Sequence, residues 1–208
     1  MDGVRCPSLF PQIALRRMRA WAVGVAAGIA WSTAPAAAPA DEALIAELQR
    51  GAVLLLRHAR TTPGVGDPPG WRLQDCASQR NLSDEGIAQA RAIGDWFRAQ
   101  GLVPDEVRHS PWCRTRDTAR LAFGRGEPWP ALANIWEDRQ RGAAQADEVR
   151  RHIGTGPADR LVVLVSHGVT IAQILPEAAG LAAGEAVVVR AGDTPQAPLR
   201  VLGRLRWP

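Results

Sequence analysis

The sequence contains no lysine and no tyrosine. Its 25 basic residues are therefore all arginines, planar forks that stay protonated at any working pH. No block of repeated or low-complexity sequence follows residue 40, which excludes a solenoid or array. Cysteine is scarce, with three in 208 residues and no Cys-x-x-Cys pair, so a dithiol redox protein is a weak reading. Residues 41–208 hold no contiguous basic block and set 21 arginines against 20 acids, which argues against a charge-driven nucleic-acid interface. The net +4 of the whole chain belongs largely to the first forty residues.

Those forty residues read as a removable leader. Arg16, Arg17 and Arg19 form a positive segment ahead of "AWAVGVAAGIAW", an apolar stretch too short to span a bilayer comfortably. Ala38-Pro39-Ala40 fits a cleavage site before Asp41. The expectation is a signal peptide over 1–40, one domain over 41–208, and a periplasmic or secreted product without stable membrane association once cut. An uncut short anchor is the alternative, and Met18 is an alternative start. Arg16-Arg17 is a poor match to a twin-arginine signal. Cys6 leaves with the leader, and in an exported chain the remaining Cys76 and Cys113 suggest one disulfide, the alternative being two free thiols.

What is present is an alternation of strand and helix. "AVLLLRH" and "RLVVLVSHG" are continuous apolar runs of strand length, the pattern of strands covered on both faces. "DEVRHS", "EAVVVR" and "LRVLGRLR" are further strands, and "DEALIAELQRG", "PWCRTRDTARLAF", "AQADEVRRHI" and "VTIAQIL" are helices. "LSDEGIAQARAIGDWFRAQG" is the clearest helix: Ser83 caps it, and Gly86, Ala90, Ile93, Gly94 and Phe97 share one face. The two glycines on that face predict a close approach, to the sheet. Residues 61–81 are rich in Gly, Pro and Asp and predict a long surface loop, and residues 124–144 read as irregular. The whole predicts one α/β domain with a mostly parallel central sheet.

In such sheets functional groups collect beyond the carboxyl ends of the strands. Three predicted ends carry polar groups: Arg57-His58, Ser110 leading to Arg114, and Ser166-His167-Gly168. An arginine fork binds phosphate oxygens in pairs, and a neutral imidazole is a nucleophile towards phosphorus. Phosphoryl transfer needs little beyond positioning and charge stabilisation of this kind, and the arginines supply the neutralising charge, so no cofactor or metal is called for. Each motif alone is weak, and a strand-end Arg-His is more often a surface pair than a catalytic one. Their combination at successive strand ends is specific.

The segments "LLLRHART", "NLSDEGIAQARAIG", "HSPWCRTRDTARLAF" and "LVVLVSHG" resemble the landmarks of the histidine phosphatase (phosphoglycerate mutase-like) superfamily, branch 1, in the family's order over residues 52 to about 170. The resemblance implies a three-layer α/β/α sandwich and makes His58 the nucleophile, with Arg57, Arg114 and His167 as the phosphate cradle. Thr61 stands where the family commonly has Ser or Thr, and is expected to touch the phosphate. Arg60 stands where an acid or Gln is common, and is expected to add positive charge at the pocket mouth, favouring a small anionic substrate. Ala59 replaces the usual glycine. His109 stands where Ser is frequent and is read as a loop residue, not a third catalytic histidine. Asn134 occupies the place of the family's acid and gives no proton to a leaving alkoxide, so Glu137, Asp138 or water is left to do so. The expected activity is an exported phosphomonoesterase. The alternatives are a phosphohistidine phosphatase and a non-catalytic binder of a phosphorylated ligand.

Overall fold

The computed structural model describes residues 39–194 and 197–207, and the leader expected over 1–40 lies almost wholly outside them. Among the described residues six strands form one sheet in the order β3-β2-β4-β1-β5-β6. They are β1 (Ala52–Arg57), β2 (Glu106–His109), β3 (Glu127–Pro128), β4 (Leu161–Ser166), β5 (Ala186–Arg190) and β6 (Arg200–Leu205). β1, β2, β3 and β4 run parallel, and β5 and β6 close one edge antiparallel. The helices that accompany them are α1 (Pro39–Gln49), α2 (Asp84–Ala99), α3 (Cys113–Phe123), α4 (Gly142–Thr155) and α5 (Gly168–Ile174). None of the described helices is long and apolar enough to cross a membrane.

Because side chains alternate across a strand, β1 and β4 feed two separate cores. Leu54, Leu56, Val163 and Val165 pack with Leu48 of α1, Ile93 and Phe97 of α2 and Ala119 of α3. Leu55, Val162 and Leu164 pack on the opposite face with Val149 and Ile153 of α4 and Ile171 and Ile174 of α5. This is the three-layer arrangement, and it explains why both strands read as unbroken apolar runs.

α2 begins where its sequence says it should. The Ser83 hydroxyl accepts from the Gly86 N–H at 3.1 Å, and Asp84 and Glu85 sit in the positive first turn. Its two glycines do allow a close approach, but not to the sheet. A Cβ on Gly86 would lie 1.8 Å from the Arg60 carbonyl oxygen, and one on Gly94 would lie 2.2 Å from that of Ala122. α2 thus presses on the chain leaving β1 and on α3. The segment read as irregular, 124–144, holds the short β3, two single turns and the start of α4.

Cys76 and Cys113 are joined as a disulfide, with Cα atoms 5.7 Å apart. The bond ties the end of the long 61–81 loop to the first residue of α3. It bridges 37 residues of sequence, for which the chain-entropy model gives a stabilisation of about 4 kcal/mol. Replacing both cysteines by alanine is expected to lower the free energy of unfolding by about that amount, measured by urea denaturation of the oxidised parent and the variant.

Candidate active site

β2, β4 and β1 are adjacent and parallel, so their carboxyl ends open on the same edge of the sheet. β4 lies in the middle and delivers His167; β1 delivers Arg57 and His58 on one side. On the other side β2 leads through Ser110 into α3, whose second residue is Arg114. All four side chains singled out from the sequence, Arg57, His58, Arg114 and His167, line one cleft of about 430 Å³. Arg80, at the end of the long loop, lines it too.

The two imidazoles are buried, with ring centroids 5.4 Å apart. His58 Nδ1 lies 2.8 Å from the carbonyl oxygen of Ala59, a group that only accepts, so Nδ1 carries the proton and Nε2 keeps its lone pair. Burial drives the His58 pKa down to about 3, the charges of Arg114, Arg57 and Arg80 push the same way, and the Ala59 hydrogen bond opposes them. His58 is therefore neutral at working pH. His167 Nε2 lies 2.8 Å from Ser110 Oγ, which also accepts from the Trp112 N–H at 3.4 Å. Burial, then the neighbouring imidazole and arginines, hold His167 well below its ordinary pKa, so it too is neutral.

The cations are less well served. Arg57 donates from Nη1 to the Leu181 carbonyl oxygen at 2.6 Å. The Nε atoms of Arg57, Arg80 and Arg114 are buried with no hydrogen-bond partner among the described residues. Burial pushes the pKa of both Arg57 and Arg80 down, and the charge on Arg114 adds to it. Three crowded guanidiniums with unused donors make a site that an anion of high charge would complete.

One residue that the sequence did not single out organises this cluster. The Asp67 side chain is 2% exposed, and its carboxylate is surrounded by donors. Oδ1 takes Arg114 Nη1 at 2.7 Å and the Arg80 backbone N–H at 2.9 Å. Oδ2 takes Arg114 Nη2 at 3.2 Å and Trp112 Nε1 at 3.0 Å. Burial alone would raise the Asp67 pKa, but these donors outweigh it and hold it below the usual carboxylate range. The end of the Arg114 fork is thus occupied, and its Nε edge is left free. Neither Asp67 nor Arg80 belongs to a periodic pattern. The only sequence signal is the length of the loop that carries them.

The chain that follows His58 is clamped from two helices. The Ala59 N–H donates to Thr118 Oγ1 of α3 at 3.0 Å, and the Arg60 N–H donates to Gln89 Oε1 of α2 at 3.1 Å. Gln89 Nε2 donates in turn to Ala183 O at 3.1 Å. The chain therefore turns away from the cleft after His58. Arg60 is exposed and Thr61 pairs with Leu82, and neither lines the cleft, contrary to the expectation that they contact the substrate. His109 is not a loop residue. It ends β2, is buried, faces the Ser110 carbonyl oxygen with Nδ1 at 2.7 Å, and stays outside the cleft.

Asn134 does line the cleft, on a segment held by Ser166 and Thr170, whose hydroxyls donate to the carbonyls of Leu132 and Ala133 at 2.7 and 2.9 Å. Glu137 does not. It is exposed, takes the Trp71 Nε1–H at 3.2 Å, and lies with Asp138 on a second, smaller cavity beside the first. The expectation that Glu137 is the catalytic acid is not met by its position.

Residues 53–139 match the model of the histidine phosphatase superfamily (branch 1). The match takes in less than half of the 208-residue chain, which over that segment is similar to the superfamily. The 2,3-bisphosphoglycerate-dependent phosphoglycerate mutase of Clavibacter michiganensis subsp. michiganensis is 31% identical over 70 residues, 32% of this chain. The match spans only 28% of that relative's length. Among solved structures, the protein histidine phosphatase SixA complexed with tungstate aligns with a TM-score of 0.53 at 15% identity, over 74% of this chain and 96% of that one. Phosphoserine phosphatase of Entamoeba histolytica in complex with 3-phosphoglyceric acid aligns with a TM-score of 0.53 at 11% identity, over 75% of this chain and 97% of that one. At such identities these structures show a common fold. Members of the superfamily are phosphatases or mutases.

Asp67→Ala leaves the buried Arg114 unpaired and is expected to lower stability by about 3–5 kcal/mol; Asp67→Ala with Arg114→Met should lose less, both read by urea unfolding. His58 is neutral when folded and titrates near 6.5 when unfolded, so the unfolded chain binds more protons between roughly 6.5 and 3. Stability should fall as pH drops through that window, by up to about 1.4 kcal/mol per pH unit for this one group. His58→Gln is expected to show a shallower acid slope in unfolding measured across a pH series.

Proposed function

We propose that the chain is an exported phosphomonoesterase acting through a phosphohistidine on His58, on a small phosphorylated substrate. The observation that carries this reading is a neutral His58 with its Nε2 lone pair available, in one cleft with three arginines whose Nε donors are unused. The phosphoryl group takes the unpartnered edges of Arg57, Arg80 and Arg114. His58 Nε2 attacks phosphorus in line, the N–P bond forms, and the P–O bond to the leaving group breaks. With Ser110 donating its hydroxyl proton to His167 Nε2, Nδ1–H of His167 is a donor for a phosphoryl oxygen. Water then attacks the phosphohistidine, releasing inorganic phosphate and restoring His58.

Asn134 stands in the cleft without a proton to give, and Glu137 lies outside it. The leaving group therefore takes its proton from water, and leaving groups of low pKa react fastest. Export rests on the leader-like residues 1–40 and accords with the Cys76–Cys113 disulfide. The same lack of an acid favours phosphohistidine phosphatase activity as a second reading, since a protein imidazole leaves without an alkoxide forming.

The test is hydrolysis of a chromogenic aryl phosphate by residues 41–208, with EDTA present, against His58→Ala. The parent is expected to turn over and the variant to fall to the buffer rate. Rapid quenching should place one phosphoryl group on the peptide carrying His58. Equal rates in the two proteins would refute the reading, and vanadate binding without turnover on a broad substrate panel would replace it with a phospho-ligand binding protein.

A further inference from the structure

Beside the phosphate cleft lies a second cavity of about 190 Å³ whose walls are unusually aromatic. Trp71, Trp112 and Trp136 all line it, together with three carboxylates (Asp67, Glu137 and Asp138), Arg141, Gly66 and Asn134. The last two and Trp136 also line the phosphate cleft, so the two spaces meet at a shared wall. Trp112 lies between the sites: its ring packs edge-on against His167 with centroids 5.5 Å apart, and its indole N–H is fixed on Asp67.

Trp71 is half-buried and Trp136 exposed, while Trp112 is buried. Trp71 packs on Trp112 with centroids 5.2 Å apart, and its Nε1–H is taken up by the Glu137 carboxylate. Glu137 is thereby explained without a proton-transfer role: it orients Trp71. Trp136 remains 47% exposed at the junction of the two spaces, although such a ring usually buries most of its surface. Gly66, at φ +70°, carries the loop past Trp136 without a side chain to fill the gap. A cavity of roughly 150 Å³ accepts a benzene molecule, so this one has room for a six-membered ring.

We propose that this aromatic cavity is the leaving-group subsite, and that the substrate class is aryl phosphate monoesters, the ring lying against Trp71 and Trp136 while the phosphoryl group sits on the arginines. The assignment rests on the phosphate reading of the larger cleft. It agrees with a separate chemical feature, since a phenolate departs without the acid that Asn134 does not supply. Stacking and burial of one ring predict a gain of about tenfold in affinity.

The test separates ring from phosphate by using ligands that are not hydrolysed. Calorimetry on residues 41–208 compares phenylphosphonate with methylphosphonate. The parent should bind the phenyl compound about tenfold more tightly. Trp71 lines only the second cavity. Trp71→Ala should therefore shrink the ratio to about threefold or less, with methylphosphonate affinity unchanged, and Trp71→Phe should restore it. A ratio near one in the parent, or one that survives Trp71→Ala, overturns the subsite and leaves the phosphatase reading standing. Failure of both phosphonates to bind overturns the phosphate reading and the subsite together.

Discussion

The site depends on one buried carboxylate, that of Asp67. Arg114 is 1% exposed and Asp67 2%, and a buried guanidinium without a counter-charge would not persist. Asp67 supplies the charge and, by accepting from Arg114, Arg80 and Trp112 together, fixes three groups with one side chain. An aspartate is suited to this because every incoming group is a donor and a carboxylate offers only acceptors. An asparagine would turn its amide hydrogens towards two of them. The pairing also takes up the end of the Arg114 fork and leaves its buried Nε without a partner among the described residues.

The sheet solves a different problem, that of bringing distant sequence together. His58, Ser110 and His167 each follow the last residue of one of three neighbouring parallel strands. The ladder extends one residue past β1 and β2, with the His58 N–H donating to Ser166 O and the Ser110 N–H to Val165 O, both at 2.9 Å. His58 and Ser110 are therefore held by backbone hydrogen bonds to β4. Past that point the clamps from Thr118 and Gln89 take over and bend the chain away, which is why Arg60 and Thr61, although close to the histidine in sequence, do not join it in the cleft.

What is legible in the sequence follows from local rules. The runs "AVLLL" and "LVVLV" announce strands buried on both faces, the Ser83 cap announces α2, and polar residues just past strand ends announce the cleft. What is not legible depends on tertiary closure. Asp67 and Arg80 sit in an aperiodic loop and meet Arg114 only when that loop folds over the sheet edge. The small face of α2 signals a close neighbour without naming it, since a glycine records the distance of approach and not the identity of what approaches. Glu137 is near Asn134 in sequence, but that nearness does not survive the bend between them. Ile135 is buried while Trp136 and Glu137 are exposed, so the chain has already turned outward before the carboxylate is reached.

The Cys76–Cys113 bond joins the loop that carries Asp67 and Trp71 to the residue immediately before Arg114. The covalent link and the Arg114 fork thus share a single helical turn. Cutting that one bond would release the loop that carries Asp67 and Trp71 from the helix that carries Arg114.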